Sequence, residues 1–132
     1  MAFQLRIISV EHVFFEGEVE KVILKGSEGE FAILSNHMPL TSTLVEGEIK
    51  IFLKDKETRI GTLMGGFVKI VKNDTVILTD AAEWPEEIDV ERALAAKERA
   101  EKRLKESQTN TTRAEASLRR AIVRLKIKDK DK

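Results

Sequence analysis

Six arginines near the end of the chain repeat one interval that suits phosphate chemistry. Arg92, Arg99 and Arg103 stand at i, i+7 and i+11, and Arg113, Arg120 and Arg124 have the same spacing. On an α-helix each trio falls within about 40° of arc. Guanidinium forks from two such rows, converging at one seam, would match phosphate oxygens bidentately. The commoner outcome for charged rows is pairing with neighbours such as Glu91, Glu98, Glu101 or Glu115, or plain solvation. Spacing leaves both open.

No other constellation supports catalysis. His12 and His37 are the only histidines, far apart and outside any metal-ligand motif. His37 sits in SNHMPL, a turn context suited to a surface contact. Serine, histidine and aspartate occur without a nucleophile elbow. GSEGEF lacks the lysine and Ser/Thr of a phosphate-binding loop and reads as a hairpin turn, with Glu28 and Glu30 solvated. With no cysteine, thiolate metal sites, thiol nucleophiles and disulfides are excluded, and no oxidising compartment is needed. The chain is expected to be non-catalytic and metal-free. No apolar run reaches the ~20 residues of a bilayer span, and MAFQLRIISV lacks a basic leader and a small-residue cleavage site, so cytoplasmic exposure is expected.

The elements that must position the arginines emerge from a shift in composition near Pro85. The 132 residues balance 23 basic against 23 acidic groups, but residues 1–84 hold 9 against 13 and residues 85–132 hold 14 against 10. All seven glycines and all six phenylalanines precede residue 68, and alanine concentrates after residue 80. A domain boundary is expected there, giving units 1–84 and 85–132.

Before the boundary the apolar period is near two. Phe3, Leu5 and Ile7 share one face, as do Ile49, Ile51 and Leu53, and TVILT is β-branched. Turn signals punctuate these runs at EGE (16–18), GSEGE (26–30), VEGE (45–48), KDKE (54–57), GG (65–66) and ND (73–74). An antiparallel β-sandwich or flattened barrel follows. After the boundary the period becomes helical. Asp89 is the expected N-cap of a first helix presenting Ala93, Ala96, Ala100 and Leu104. A second helix, capped by Thr112 with Glu115 three residues on, presents Ala114, Leu118, Ala121, Ile122 and Leu125. The short polar ESQTNT between them implies an antiparallel hairpin. A seam of alanines buries little area, so the hairpin should be marginal alone.

The segments SVEHVFFEGEVEKVILKGSEGEFAILSNHMPL, GGFVKIVKNDTVILTDAAE and IDVERALAAKERAEKRL, with RAEASLRRAIVRL, together resemble the epsilon subunits of bacterial F-type ATP synthases. The resemblance covers nearly the whole chain in order. It implies an α+β architecture, a ten-stranded N-terminal β-sandwich followed by a two-helix C-terminal domain. In that family the sandwich docks on the gamma subunit and rests on the ring of c subunits, within the rotor of proton- or sodium-driven ATP synthesis. The helices extend along gamma toward the alpha and beta subunits and inhibit ATP hydrolysis. Such a subunit would be peripheral, at the cytoplasmic face of the bacterial cell membrane, and associated with the membrane only through its complex.

The resemblance also assigns residues. IDVERA is similar to the motif with which some bacterial epsilon subunits bind ATP in the folded hairpin, a regulatory ligand rather than a required cofactor. Ile88, Asp89, Arg92 and Ala93 match the motif, Glu83 and Arg99 match further binding positions, and Arg120 and Arg124 align with second-helix arginines near the phosphates. Trp84 and Pro85 depart from the small or charged residues usual there. GSEGEF and SNHMPL match loops near the c ring, which implies Glu30 and His37 at that interface. The alternative is a free-standing ATP- or polyanion-binding module whose basic hairpin grips a partner such as nucleic acid. Against it, glutamates interleave the arginines, the one tryptophan lies at the boundary, and the hairpin has no aromatic side chain for base stacking. No nucleic acid partner is expected.

Overall fold

The computed structural model describes residues 2–105 and 111–130. It divides into two compact units, Met1–Glu83 and Trp84–Lys132. The first contains strands β1 (Phe3–Ser9), β2 (Val13–Gly26), β3 (Gly29–Leu34), β4 (Leu40–Leu53), β5 (Thr58–Val71), β6 (Asp74–Thr79) and β7 (Ala82–Glu83). Period-two patterning does what it should: in β1, Phe3, Leu5 and Ile7 are buried while Gln4, Arg6 and Ile8 are half-buried on the other side.

The strands run in the order β1-β6-β5-β4-β2-β3, and β1 also pairs with β2, so five of them close into a ring. β3 extends outward from β2, and β7 pairs with β5. Leu5, Ile7, Val19, Val22, Ile33, Ile49, Ile51, Val68 and Ile77 fill the interior and are wholly inaccessible. Removing each such side chain from water contributes roughly 1.5–3 kcal/mol. Buried polar groups have partners: the Thr79 hydroxyl donates to the Gly65 carbonyl at 2.6 Å, with the Ala81 carbonyl as a second acceptor at 3.1 Å.

Two features differ from the sequence expectation. There are seven strands among the described residues rather than about ten, because β2, β4 and β5 each run 14 residues without a break. The glycines of EGE, VEGE and GG lie inside these strands. Two of them mark close approaches rather than turns: a Cβ on Gly47 would sit 2.9 Å from the Lys25 Cβ, and one on Gly66, at φ +119, would collide with the Leu78 carbonyl. At Gly65–Gly66, β5 changes partner from β6, paired over Phe67–Val71, to β7, paired at Thr62 and Leu63. Secondly, one pairing is parallel, β1 with β6. Ring closure inserts the first strand between β2 and β6, a long-range arrangement that local patterning does not encode.

The second unit opens with a 3₁₀ turn at Pro85–Glu87, followed by α1 (Val90–Lys105) and α2 (Thr111–Lys130). The Trp84 N–H donates to the Glu87 carboxylate at 2.9 Å, which fixes the entry to the turn. Asp89 caps α1 as expected, its carboxylate accepting the Arg92 N–H at 3.1 Å. α2 starts at Thr111, one residue before the cap assigned to Thr112, so Thr112 lies within the first turn. The ESQTNT connection lies outside the described residues up to its final threonine.

The helices pack on one another. Ala93, Ala100, Ala114 and Ala121 are buried, and Ala96, Leu104, Leu118 and Leu125 are half-buried. Ile122, assigned to the same stripe, is instead 46% exposed, because it lies about 80° around the helix from the Ala114 line. Ile127, beyond the expected stripe, is completely buried.

Candidate functional site

The hairpin has two chemically different flanks. On one, Val90, Leu94 and Lys97 of α1 meet Ile122, Leu125, Lys126, Lys128 and Asp129 of α2 around an open groove of about 610 Å³. The arginine rows lie on the opposite side of each helix: Arg92, Arg99 and Arg103 point roughly 140–180° away from Val90, and Arg113, Arg120 and Arg124 about 160° from Ile122 or further. Since one pair of flanks forms the groove, both arginine rows lie on the other flank of the hairpin, each roughly 60–120° around its helix from the buried alanines of the seam.

Arg92, Arg99 and Arg120 are exposed and Arg124 is half-buried. Among the described residues no ion pair engages Arg92, Arg99 or Arg120. Ala93 is buried in the seam, and its small side chain lets the backbones approach. Ile88 is buried where the 3₁₀ turn ends, its N–H donating to the Pro85 carbonyl at 3.2 Å. Asp89 is exposed, with one carboxylate oxygen engaged in the cap. Glu83 belongs to the other unit, on β7, where its carbonyl accepts the Thr62 hydroxyl at 3.4 Å.

Residues 88–93 are positioned by local rules. Pro85 starts the turn with its fixed φ and needs no donor there. Glu87 ties the turn to Trp84, the turn ends at Ile88, and Asp89 starts the helix. The motif therefore sits at a hydrogen-bonded junction between two helical segments.

In the sandwich, Glu30 and His37 line one surface cavity of about 560 Å³, formed by the β2–β3 turn, β3, and the start of β4. His37 Nδ1 lies 2.8 Å from the Met38 carbonyl. Met38 is 79% exposed at the rim. The loop is braced from a distance, for the Asn36 N–H donates to the side-chain oxygen of Asn73 at 2.8 Å. Asn36 and Asn73 both have positive φ, a conformation asparagine tolerates well.

Sequence reasoning missed a second surface on this unit. Phe67 and Leu78 are cross-strand partners on β5 and β6, 55% and 51% exposed, and Leu78 is registered with Ile8, which is registered with Val13, 55% exposed. The result is an apolar row over four strands, the kind of patch that marks an interaction surface. Its signal was the outward phase of the strand alternation, where polar residues are the norm. Among the described residues no group of three or more potential ligands could hold a metal ion, and no helix is long and apolar enough to cross a membrane.

Comparison with known proteins matches residues 2–85 to the ATP synthase delta/epsilon chain beta-sandwich domain and residues 86–129 to the ATP synthase delta/epsilon chain long alpha-helix domain. The chain is 50% identical over 109 residues to the sodium ion specific ATP synthase epsilon chain of Acetobacterium woodii, covering 83% of this chain and 82% of that protein. It is 42% identical over 130 residues to the ATP synthase epsilon chain of Caldanaerobacter subterraneus, covering 97% and 94%. A chain in the structure of the Euglena gracilis mitochondrial ATP synthase, comprising OSCP, F1 and the c-ring, superposes with a TM-score of 0.80 at 22% identity, covering 95% of this chain and 79% of that one, a likeness of fold.

Proposed function

The chain belongs to the epsilon-chain family of ATP synthases, non-catalytic subunits of the central stalk, and on that premise we propose that it couples gamma to the c ring and carries a retractable brake on ATP hydrolysis. The apolar row of Phe67, Leu78, Ile8 and Val13 docks on gamma, and the loops bearing Glu30 and His37 rest on the c ring. Proton or sodium flow then turns the sandwich with the rotor at the cytoplasmic face of the cell membrane, which the protein reaches only through its partners.

The brake is the hairpin. The observation that carries this reading is the combination of a seam centred on four buried alanines with two rows of arginine on one flank of the hairpin. An alanine seam gives up little buried area when it opens, at about 0.8 kcal/mol per CH₂-sized group, so the folded and extended forms stay close in free energy. Extended, the basic helices reach acidic loops of the beta subunits and stop hydrolysis. Folded, the arginine flank takes the phosphates of ATP, with Asp89, Ile88, Arg92 and Ala93 at the nucleoside end and Arg99, Arg120 and Arg124 completing the site. A ligand that binds only the folded form releases the brake by mass action.

The test is a complex assembled with residues 1–84, a cut that leaves β7 on β5. Ion-driven synthesis should persist and hydrolysis should rise. Unchanged hydrolysis in a coupled complex would place inhibition elsewhere, and failure of the sandwich to assemble would overturn the docking assignment.

A further inference from the structure

Lys128 lies in the last turn of α2, yet its ammonium donates to the Pro85 carbonyl 43 residues earlier, at 2.9 Å. The same carbonyl accepts the Ile88 N–H that closes the 3₁₀ turn. One oxygen therefore joins the end of α2 to the backbone that orients Ile88 and, next to it, the capping Asp89. The surroundings are restrictive: Pro85 and Ile88 are buried, and Ile127, beside Lys128, is inaccessible. Lys128 itself is half-buried, so its charge-assisted bond is only partly exposed to solvent.

We propose that Lys128 is the latch of the hairpin: its bond to the Pro85 carbonyl holds the free end of α2 against the 3₁₀ turn and positions Ile88 and Asp89 for the nucleotide. This rests on the reading of the hairpin as a nucleotide-held brake. The position matters mechanically. Antiparallel helices joined at one end come apart at the other, and helix ends are where opening begins. The alanine seam supplies little to resist this, so at the open end the Lys128 bond acts beside the buried Ile88 and Ile127 in holding the helices together. It also couples the two events, because the latch and the Ile88 N–H share one acceptor, the Pro85 carbonyl.

The experiment uses the isolated full-length protein and three variants. Lys128→Met keeps the aliphatic stem and removes the donor. Lys128→Arg keeps a cationic donor. Lys126→Met removes one charge from the same region of α2, on an exposed side chain without that bond, and so controls for charge and helix dipole. Amide exchange is read over the last two turns of α2, and ATP affinity by calorimetry at fixed magnesium. Lys128→Met should speed exchange there by about tenfold and weaken ATP binding several-fold. Lys128→Arg should recover most of both, and Lys126→Met should change neither by more than about twofold.

Exchange in Lys128→Met within twofold of wild type overturns the latch, and so does an equal effect from Lys126→Met. Faster exchange with unchanged ATP affinity overturns the coupling to Ile88 and Asp89. If wild type itself shows no saturable ATP binding, the nucleotide reading fails, and the exchange comparison alone decides whether Lys128 latches the hairpin.

Discussion

The carboxylate of Asp89 accepts the backbone N–H of Arg92 at 3.1 Å, so two residues of the proposed nucleotide motif already hold each other as helix cap and capped turn. Loss of ATP binding on Asp89→Ala would therefore mix two effects, a lost ligand contact and a cap worth about 1 kcal/mol. Asp89→Asn separates them. Asparagine caps about as well as aspartate, so thermal melting of the helical signal should match wild type while ATP affinity falls. Equal affinity in both proteins would reduce Asp89 to a cap.

Replacing Arg120 and Arg124 with alanine should weaken ATP binding by the isolated protein. Each exposed or half-exposed guanidinium contributes modestly, and the pair together about tenfold or more in affinity. Calorimetry decides. Unaltered affinity would return both side chains to solvation and local ion pairing.

Phe67 and Leu78 face outward from paired strands, so their truncation costs little fold stability. Phe67→Ala with Leu78→Ala should leave the melting of the sandwich near wild type and weaken association with gamma by at least about 2 kcal/mol if the row is the centre of that interface. Titration of the variant against gamma measures it, and wild-type affinity would move the interface to another face.

Asn73→Gly tests the brace on the His37 loop. Glycine accepts the positive φ of this turn, so the β5–β6 hairpin should persist while the Asn36 N–H loses its partner. Stability should fall by no more than about 1 kcal/mol, because the bond is exposed. Faster exchange of the Asn36 amide and weaker c-ring attachment are expected. Unchanged attachment would mean that the brace serves the sandwich alone.

Local rules made much of this molecule legible. The period of two in β1, the alanine line of α1 and the cap at Asp89 all follow from the residues themselves. What escaped was tertiary. Gly47 and Gly66 read as turns because a glycine gives no local sign that another strand, rather than solvent, approaches it. The parallel pairing of β1 with β6 depends on ring closure. Ile127 and Lys128 sit in a lysine-rich tail that reads as a solvated helix end, and only a bond spanning 43 residues reveals their place. For the arginines, spacing supplied the two rows, and the packing of the helices decided that both lie on the flank away from the groove.

In the proposed mechanism ATP holds the hairpin folded and so releases hydrolysis. Its most direct test is the hydrolysis rate of complexes carrying the full chain, divided by that of complexes carrying residues 1–84, after preincubation over a range of ATP concentrations. The ratio should lie well below one at low ATP and approach one as ATP rises, since ATP at about 100 times its dissociation constant favours the folded form by roughly 2.7 kcal/mol. A ratio of one at every concentration would contradict the brake, and a low ratio that ATP does not raise would contradict its control by the nucleotide.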